Sequence, residues 1–153
     1  MHETEALHIR RLTAEDLEPL HRLLSDPAVM RYLEPPFTRA QTEAFLQKAG
    51  MGREPLIWAV EDGRGFAGYV IYHPYDETSM ELGWVLASDR WGRGYALALT
   101  RQMICRAREN GRDAVIECHP QQAATRHIAE KLGFRPCGMD GGCCVYRLAG
   151  KNE

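Results

Sequence analysis

The chain has 153 residues, 44% hydrophobic and 26% charged, with 19 Lys+Arg against 21 Asp+Glu for a formal charge of −2. That is the composition of a single globular domain, and so even a charge balance argues against a protein dedicated to coating nucleic acid. No apolar run approaches the roughly 18–20 residues of a membrane span, and Met1–Arg10 alternates His and Glu with apolar residues, unlike a signal peptide.

Leu7–Leu12 reads as a first strand. Thr13–Asp16 has the form of a capping box with Asp in the last position, and Leu17, Leu20, Leu23 and Leu24 follow at helical spacing. Ser25-Asp26-Pro27 and Glu34-Pro35-Pro36 punctuate the chain. Thr38–Gln41 is a second capping box, opening a helix that the pattern carries to Gly50 as its C-terminal cap. Pro55–Glu61 and Phe66–Tyr72 read as strands joined through an Asp62-Gly63 hairpin, and Met80–Ala87 as a third strand. From Gly94 the period becomes helical: Leu97, Leu99, Met103, Ile104 and Ala107 make an amphipathic helix ending at Asn110-Gly111. Ala114–Cys118 reads as a short strand and Ala123–Leu132 as a helix stopped by Gly133. Phe134–Cys137 and Cys143–Leu148 close the chain as strands around Gly141-Gly142. The order β-α-α-β-β-β-α-β-α-β-β describes an α/β domain of the mixed-sheet kind, one domain over 1–153 without repeat or linker.

The five cysteines fit neither a disulfide ladder nor a zinc site. Cys105 and Cys118 fall in periodic segments and read as small core residues. Adjacent strand residues point to opposite faces, which separates Cys143 from Cys144. The same alternation argues against Cys118-His119 as a nucleophile and its base. The histidines show no metal-ligand spacing, so no metal is expected, and a reducing cytoplasm is the simplest home.

Chemistry concentrates between Leu86 and Leu97, where a strand ends, a loop with Gly92 and Gly94 follows, and a helix starts at once. Such a junction leaves about four backbone N–H groups unpaired at the positive end of a helix dipole. Glycines let a phosphate reach them, so a pyrophosphate-bearing ligand is the natural occupant, with a plain tight turn as the competing reading. A dinucleotide fingerprint needs a third glycine where Leu97 stands, although Glu117 falls about where a ribose-binding acid would; the nicotinamide reading is weakened and left open. Arg90–Arg112 holds six Arg and one Glu. Arg101, Arg108 and Arg112 form a solvated stripe, whereas Arg90 and Arg93 lie in the loop, within reach of phosphates. No aromatic row accompanies them, which makes a nucleic-acid partner unlikely on chemical grounds. Trp58 and Trp84 read as core.

Trp91-Gly-Arg-Gly-Tyr-Ala96 resembles the pyrophosphate loop of the GNAT acyl-CoA-dependent N-acetyltransferases, in the W-G-x-G-Y-A form of the RimJ/RimL-like branch. Gln122-Ala-Ala-Thr125 with Glu130-Lys-Leu-Gly-Phe134 is similar to the family's second signature, N-x-A-S followed by E-K-L-G-F; Gln stands for Asn and Thr for Ser. Ser25–Leu33 is similar to the first-helix region of the same branch. The resemblance implies a GNAT-like fold around a mostly antiparallel, splayed sheet, with acetyl-CoA as co-substrate. It assigns Trp91, Gly92, Arg93, Gly94, Tyr95 and Ala96 to the diphosphate. Main-chain groups at Val85 and Leu86, and side chains of Gln122 and Thr125, are assigned to the pantetheine arm. The thioester carbonyl would be polarised by the fixed dipoles near Val85 and Leu86.

The implied reaction transfers acetyl directly to a primary amine, either a small molecule or a protein N-terminus. A Lys-like ammonium, with a pKa of about 10.4, is free base in roughly one molecule in several thousand at neutral pH, so a base must take its proton. Glu81 is the candidate: it matches the family's acidic E-x-G-W position, and Gly83 on the same strand face leaves room for a water. The family's frequent general-acid Tyr is replaced here by Ala129, and Tyr146 and His119 are the substitutes to examine. Arg31, Tyr32, Phe37, Tyr75 and Asp76 are expected to line the acceptor groove. The alternative is a non-catalytic acyl-CoA-binding sensor of the same fold. No membrane partner is expected, and homodimerisation stays open.

Overall fold

The computed structural model describes residues 6–150, which leaves Met1–Glu5 outside the described residues. The elements are β1 His8–Arg10, α1 Leu17–Leu24, α2 Pro27–Met30, α3 Arg39–Phe45, β2 Ile57–Asp62, β3 Gly65–Asp76, β4 Ser79–Leu86, α4 Tyr95–Glu109, β5 Asp113–Cys118, α5 Ala123–Lys131, β6 Arg135–Asp140 and β7 Cys143–Leu148. Short 3₁₀ turns at Ala14–Asp16 and Ser88–Arg90 precede α1 and α4. The seven strands follow the order β1-β2-β3-β4-β5-β7-β6. β4 and β5 pair in parallel, while β1–β2, β2–β3, β5–β7 and β6–β7 are antiparallel, so the sheet is mixed as expected.

Both capping boxes form. The Thr13 N–H donates to Asp16 Oδ2 at 2.8 Å. Thr38 and Gln41 exchange bonds, N–H to Oε1 at 2.8 Å and N–H to Oγ1 at 3.1 Å. Two expectations are corrected. Ser25-Asp26-Pro27 is not merely a break: Asp26 caps α2 by accepting the Ala28 N–H at 2.9 Å, and Pro27 occupies the first helical position, where its missing N–H costs nothing. Gly50 is not a left-handed cap; it ends a wider π-type turn, Leu46–Gly50, packed against the Leu12 side chain.

Chain packing sorts into two compact units, the first running to Ile71 and including Trp84–Tyr95, the second comprising Tyr72–Gly83 and the chain from Ala96 onward. The core of the first collects Leu12, Leu20, Leu23 and Leu24 with Leu46, Ile57, Tyr69 and Val85. Phe37, expected in the acceptor groove, packs against this core and meets Phe45 edge-on at 5.8 Å. Helical spacing explains the choice: the α1 leucines recur every three or four residues and present one apolar face.

In the second unit the buried hydrophobic residues include Leu82, the α4 stripe Leu99, Met103, Ile104 and Ala107, the β5 run Ala114–Ile116, and Cys118, Ala129, Phe134 and Tyr146. Cys105 is exposed, a correction, because it falls on the outer face of the α4 stripe. The β3–β4 turn is organised by Asp76, whose Oδ1 accepts from the Thr78 N–H at 2.9 Å and the Ser79 hydroxyl at 2.7 Å. Arg147 then ties Asp76 at 3.2 Å to Asp113 at 3.0 Å. Asp76 therefore serves the turn, against the expectation that it lines a groove. No helix among the described residues is long and apolar enough to cross a membrane.

Asp16 anchors the entry to α1. Burial pushes its carboxyl up, but the Arg10 guanidinium at 2.8 and 2.9 Å and the Thr13 amide outweigh it and hold it below the ordinary value. Because the native value is the depressed one, this stabilisation is present above the ordinary carboxylate range and is lost as pH falls through the native value. Asp16→Ala is expected to cost about 2–4 kcal/mol in urea unfolding at neutral pH, with the gap to wild type narrowing in acid.

Candidate active site

The site is built from the end of β4 outward. In the β2–β3 ladder the register slips between Val60↔Gly68 and Glu61↔Phe66, which leaves Ala67 as the extra residue of a bulge. The Ala67 carbonyl accepts the Ala87 N–H at 2.9 Å. Gly68, at φ 147°, lies under the end of β4, and a Cβ there would meet the Val85 carbonyl oxygen at 2.2 Å. Only glycine lets the two backbones approach so closely. A glycine inside an apolar strand run was the sequence signal for this contact.

After the Ser88–Arg90 turn, one buried carboxylate organises the loop. Asp62, whose side chain is fully buried, accepts Arg90 Nε at 2.8 Å, Arg90 Nη2 at 3.2 Å and the Tyr95 hydroxyl at 2.9 Å. The Arg64 N–H adds a bond at 2.8 Å. Arg90 thus bonds one end of the loop to Asp62 and Tyr95 bonds the other. The Arg90 guanidinium, first among these groups, holds the Asp62 carboxyl well below the usual carboxylate range against its burial. Arg90 was expected to meet phosphates; it is buried on Asp62 instead. Arg93 remains exposed.

Between the two anchors, Trp91, Gly92, Arg93 and Gly94 are exposed. Gly92 and Gly94 take φ of 76° and 80°, a left-handed conformation that side chains resist, and nothing lies within 4 Å of a Cβ at either. Trp91 is held by its indole N–H, which donates to the Leu86 carbonyl at 3.0 Å. The loop feeds directly into Tyr95 and Ala96 at the start of α4, a helix of 15 residues. Open space, left-handed glycines and a helix start suit an anion.

In the second unit a polar group gathers on one sheet face. Glu81 pairs with Val115 in the parallel ladder, which puts Glu81, Val115 and Glu117 on the same side. The Tyr75 hydroxyl donates to Glu117 Oε2 at 2.6 Å, and His73 Nε2 lies 3.6 Å from Glu81 Oε1. Burial pushes the half-buried Glu81 carboxyl above its ordinary value; His73 opposes the shift and Glu117 adds to it. Glu117 in turn pushes the Tyr75 phenol up to about 12. A carboxylate of raised basicity, beside an imidazole and partly exposed to water, can accept a proton.

The other expected residues fall elsewhere. Tyr146 pairs with Ile116, so it occupies the sheet face opposite Glu81. There it is buried, accepting from Arg126 Nε at 3.3 Å and donating to Glu130 at 3.4 Å. His119 shapes the turn after β5: its N–H donates to Gln122 Oε1 at 2.8 Å, and its Nδ1 accepts the Gln121 N–H at 3.0 Å. Gln122 thereby also serves that turn, and Thr125 is half-buried on α5. Ala129, in the place of the expected general acid, is fully buried. Arg31 covers the Tyr32 ring at 5.0 Å. Among the described residues no group of three or more His, Cys, Asp or Glu is placed to hold a metal ion.

Known proteins are similar to this chain in sequence and fold. The acetyltransferase (GNAT) domain family model matches residues 6–135. The uncharacterized N-acetyltransferase YnaD of Bacillus subtilis (strain 168) is 26% identical over 145 residues, covering 92% of this chain and 85% of that one. The GNAT-family acetyltransferase from Bacillus anthracis superposes with a TM-score of 0.80 at 24% identity, over 98% of both chains. Spermidine N-acetyltransferase from Vibrio cholerae, solved with CoA and spermine, superposes at 0.74 with 23% identity over 93% of both.

Removing one partner of a buried ion pair leaves the other uncompensated. Asp62→Asn is expected to cost about 3–5 kcal/mol in urea unfolding, and to expose the Arg90 and Arg93 bonds to trypsin under native conditions, where wild type resists cleavage at Arg90. Since the native Asp62 value is depressed, its contribution holds above the ordinary carboxylate range and fades only as pH falls through that low value.

Proposed function

The chain belongs to the GNAT acetyltransferase family, and on that premise we propose an acetyl-CoA-dependent enzyme that acetylates a primary amine directly, in a ternary complex, without a covalent enzyme intermediate. The whole chain is read as one acyltransferase domain of the RimJ/RimL-like branch, working in the cytoplasm. The observation that carries the reading is the loop between Arg90 and Tyr95, open above its two left-handed glycines and anchored beneath by Asp62.

The residues present fit the donor. Main-chain N–H groups from Trp91 to Ala96 would hold its diphosphate at the start of α4, with the exposed Arg93 adding charge. Val85, Leu86, Gln122 and Thr125 are the remaining residues proposed to serve it. Acetyl-CoA supplies an activated acyl group and a thiolate that leaves readily. Everything else is the protein's work. Glu81 takes the ammonium proton, directly or through one water, and the nearby carboxylate of Glu117 favours a cationic acceptor on that face. The acceptor is an amine-bearing small molecule or a protein N-terminus. The polyamine bound by the Vibrio cholerae relative brings polyamines into the panel to be tried. No general acid is assigned, because Tyr146 faces α5 and a CoA thiol, Cys-like with a pKa of about 8.5, can leave without one.

Thiol release from acetyl-CoA across a panel of amino acids, polyamines and N-terminal peptides tests the reading. Turnover with at least one amine class is expected; tight acetyl-CoA binding with no turnover above hydrolysis would instead identify a sensor. With the amine found, Glu81→Gln is expected to lower kcat/KM about 100-fold or more and to remove its acid limb, while acetyl-CoA affinity stays within about twofold. The wild-type limb should fall as pH drops through the raised Glu81 value. Gly94→Val forces a side chain into left-handed backbone and should weaken acetyl-CoA binding about tenfold or more by calorimetry, with stability less affected.

A further inference from the structure

His73, on β3, touches two acceptors. Its Nδ1 lies 2.9 Å from the Pro74 carbonyl oxygen, and a carbonyl only accepts, so Nδ1 carries a proton. Its Nε2 lies 3.6 Å from Glu81 Oε1, and a carboxylate too only accepts. A neutral imidazole has one N–H to offer, and with Nδ1 committed its bare Nε2 lone pair would face a carboxylate oxygen. The imidazolium, with an N–H on each nitrogen, satisfies both neighbours.

The ring stands beside acidic groups. Glu81 faces it from β4, and Glu117 of β5 acts on Glu81. Tyr75, two residues along β3, donates to Glu117 and feels Asp140 of β6 at longer range. Glu81 is thus the carboxylate against the ring, and Glu117 lies behind Glu81. The His73 side chain is 21% exposed and that of Glu81 24%, so water screens the pair only in part.

We propose that His73 is a positioning residue for the acetyl transfer, a ring whose imidazolium form holds the Glu81 carboxylate ionised and whose place on β3 fixes the direction of Oε1. The inference rests on the reading of Glu81 as the general base. The proton leaving the amine goes to Glu81, and the ring takes no part in that transfer. What the ring supplies is opposition to burial and to Glu117, both of which favour the protonated, idle form of the base.

The test compares pH profiles of kcat/KM, with acetyl-CoA and the amine that turns over, with a titration that needs no turnover. His73→Gln keeps an N–H donor and loses the charge. Its acid limb is expected to move to higher pH, with a loss of about threefold or more near pH 6 and less than about twofold near pH 9. His73→Lys restores the charge and is expected to bring the limb back. The Glu81 carboxyl, followed by 13C NMR in the free protein, should titrate at higher pH in His73→Gln than in wild type. A limb and a carboxyl titration that both stay in place overturn the inference. An unaltered profile in Glu81→Gln overturns the general-base reading instead, and the carboxyl titration still decides whether His73 holds Glu81 ionised.

Discussion

A fully buried carboxylate is the constraint on which the loop depends. Asp62 sits at the end of β2, where water cannot solvate its charge, and such a charge is tolerable only with close, well-directed partners. Arg90 and Tyr95 supply them. Because these two residues bracket Trp91–Gly94, the requirement to neutralise Asp62 also sets the span and attitude of the segment between them. The loop can then remain exposed while both of its ends are held. Its glycines are left to do what only they can, turning the backbone through left-handed geometry with clear space above the main chain. Rigidity is provided from below and access from above.

A second close approach works alongside it. The bulge at Ala67 and the bare Cα of Gly68 let β3 press against the Val85 carbonyl, and the Ala67–Ala87 bond continues that contact past the strand end. The final residues of β4 are therefore placed by main-chain packing. Val85 and Leu86 are both buried, so both faces of the strand are covered at that end.

The chemistry proposed for the second unit depends on an opposite principle. His73, Tyr75, Glu81 and Glu117 are partly wet, and each owes its character to the others: burial raises Glu81, the imidazole opposes, and Glu117 adds to the rise while holding the Tyr75 proton. The neighbouring turn residues are engaged with one another. Asp76 and Arg147 are occupied with Thr78, Ser79 and Asp113, and Tyr146 is turned to α5 by the β5–β7 register.

Much of this was legible along the chain. Hydrophobic period and capping residues marked the strands and most of the helices, because these depend on neighbours within a few positions: Thr13 with Asp16, Thr38 with Gln41, the α1 leucines with one another. The loop motif was legible for the same reason, as its glycines announce backbone that no other residue adopts easily. The partners of Asp62, by contrast, lie 28 and 33 positions away, and an Asp-Gly pair in a hairpin looks the same whether its carboxylate is bare or buried. Likewise Arg90 read as a phosphate ligand, and Cys105 as core, until packing assigned each a side. The local sequence determined which segments are helix, strand and turn. Which charges are neutralised, which face Glu81 shares and what His73 touches were decided only when strands distant in the chain came into register, since electrostatic energy depends on separation in space and a chain does not record that separation in its order.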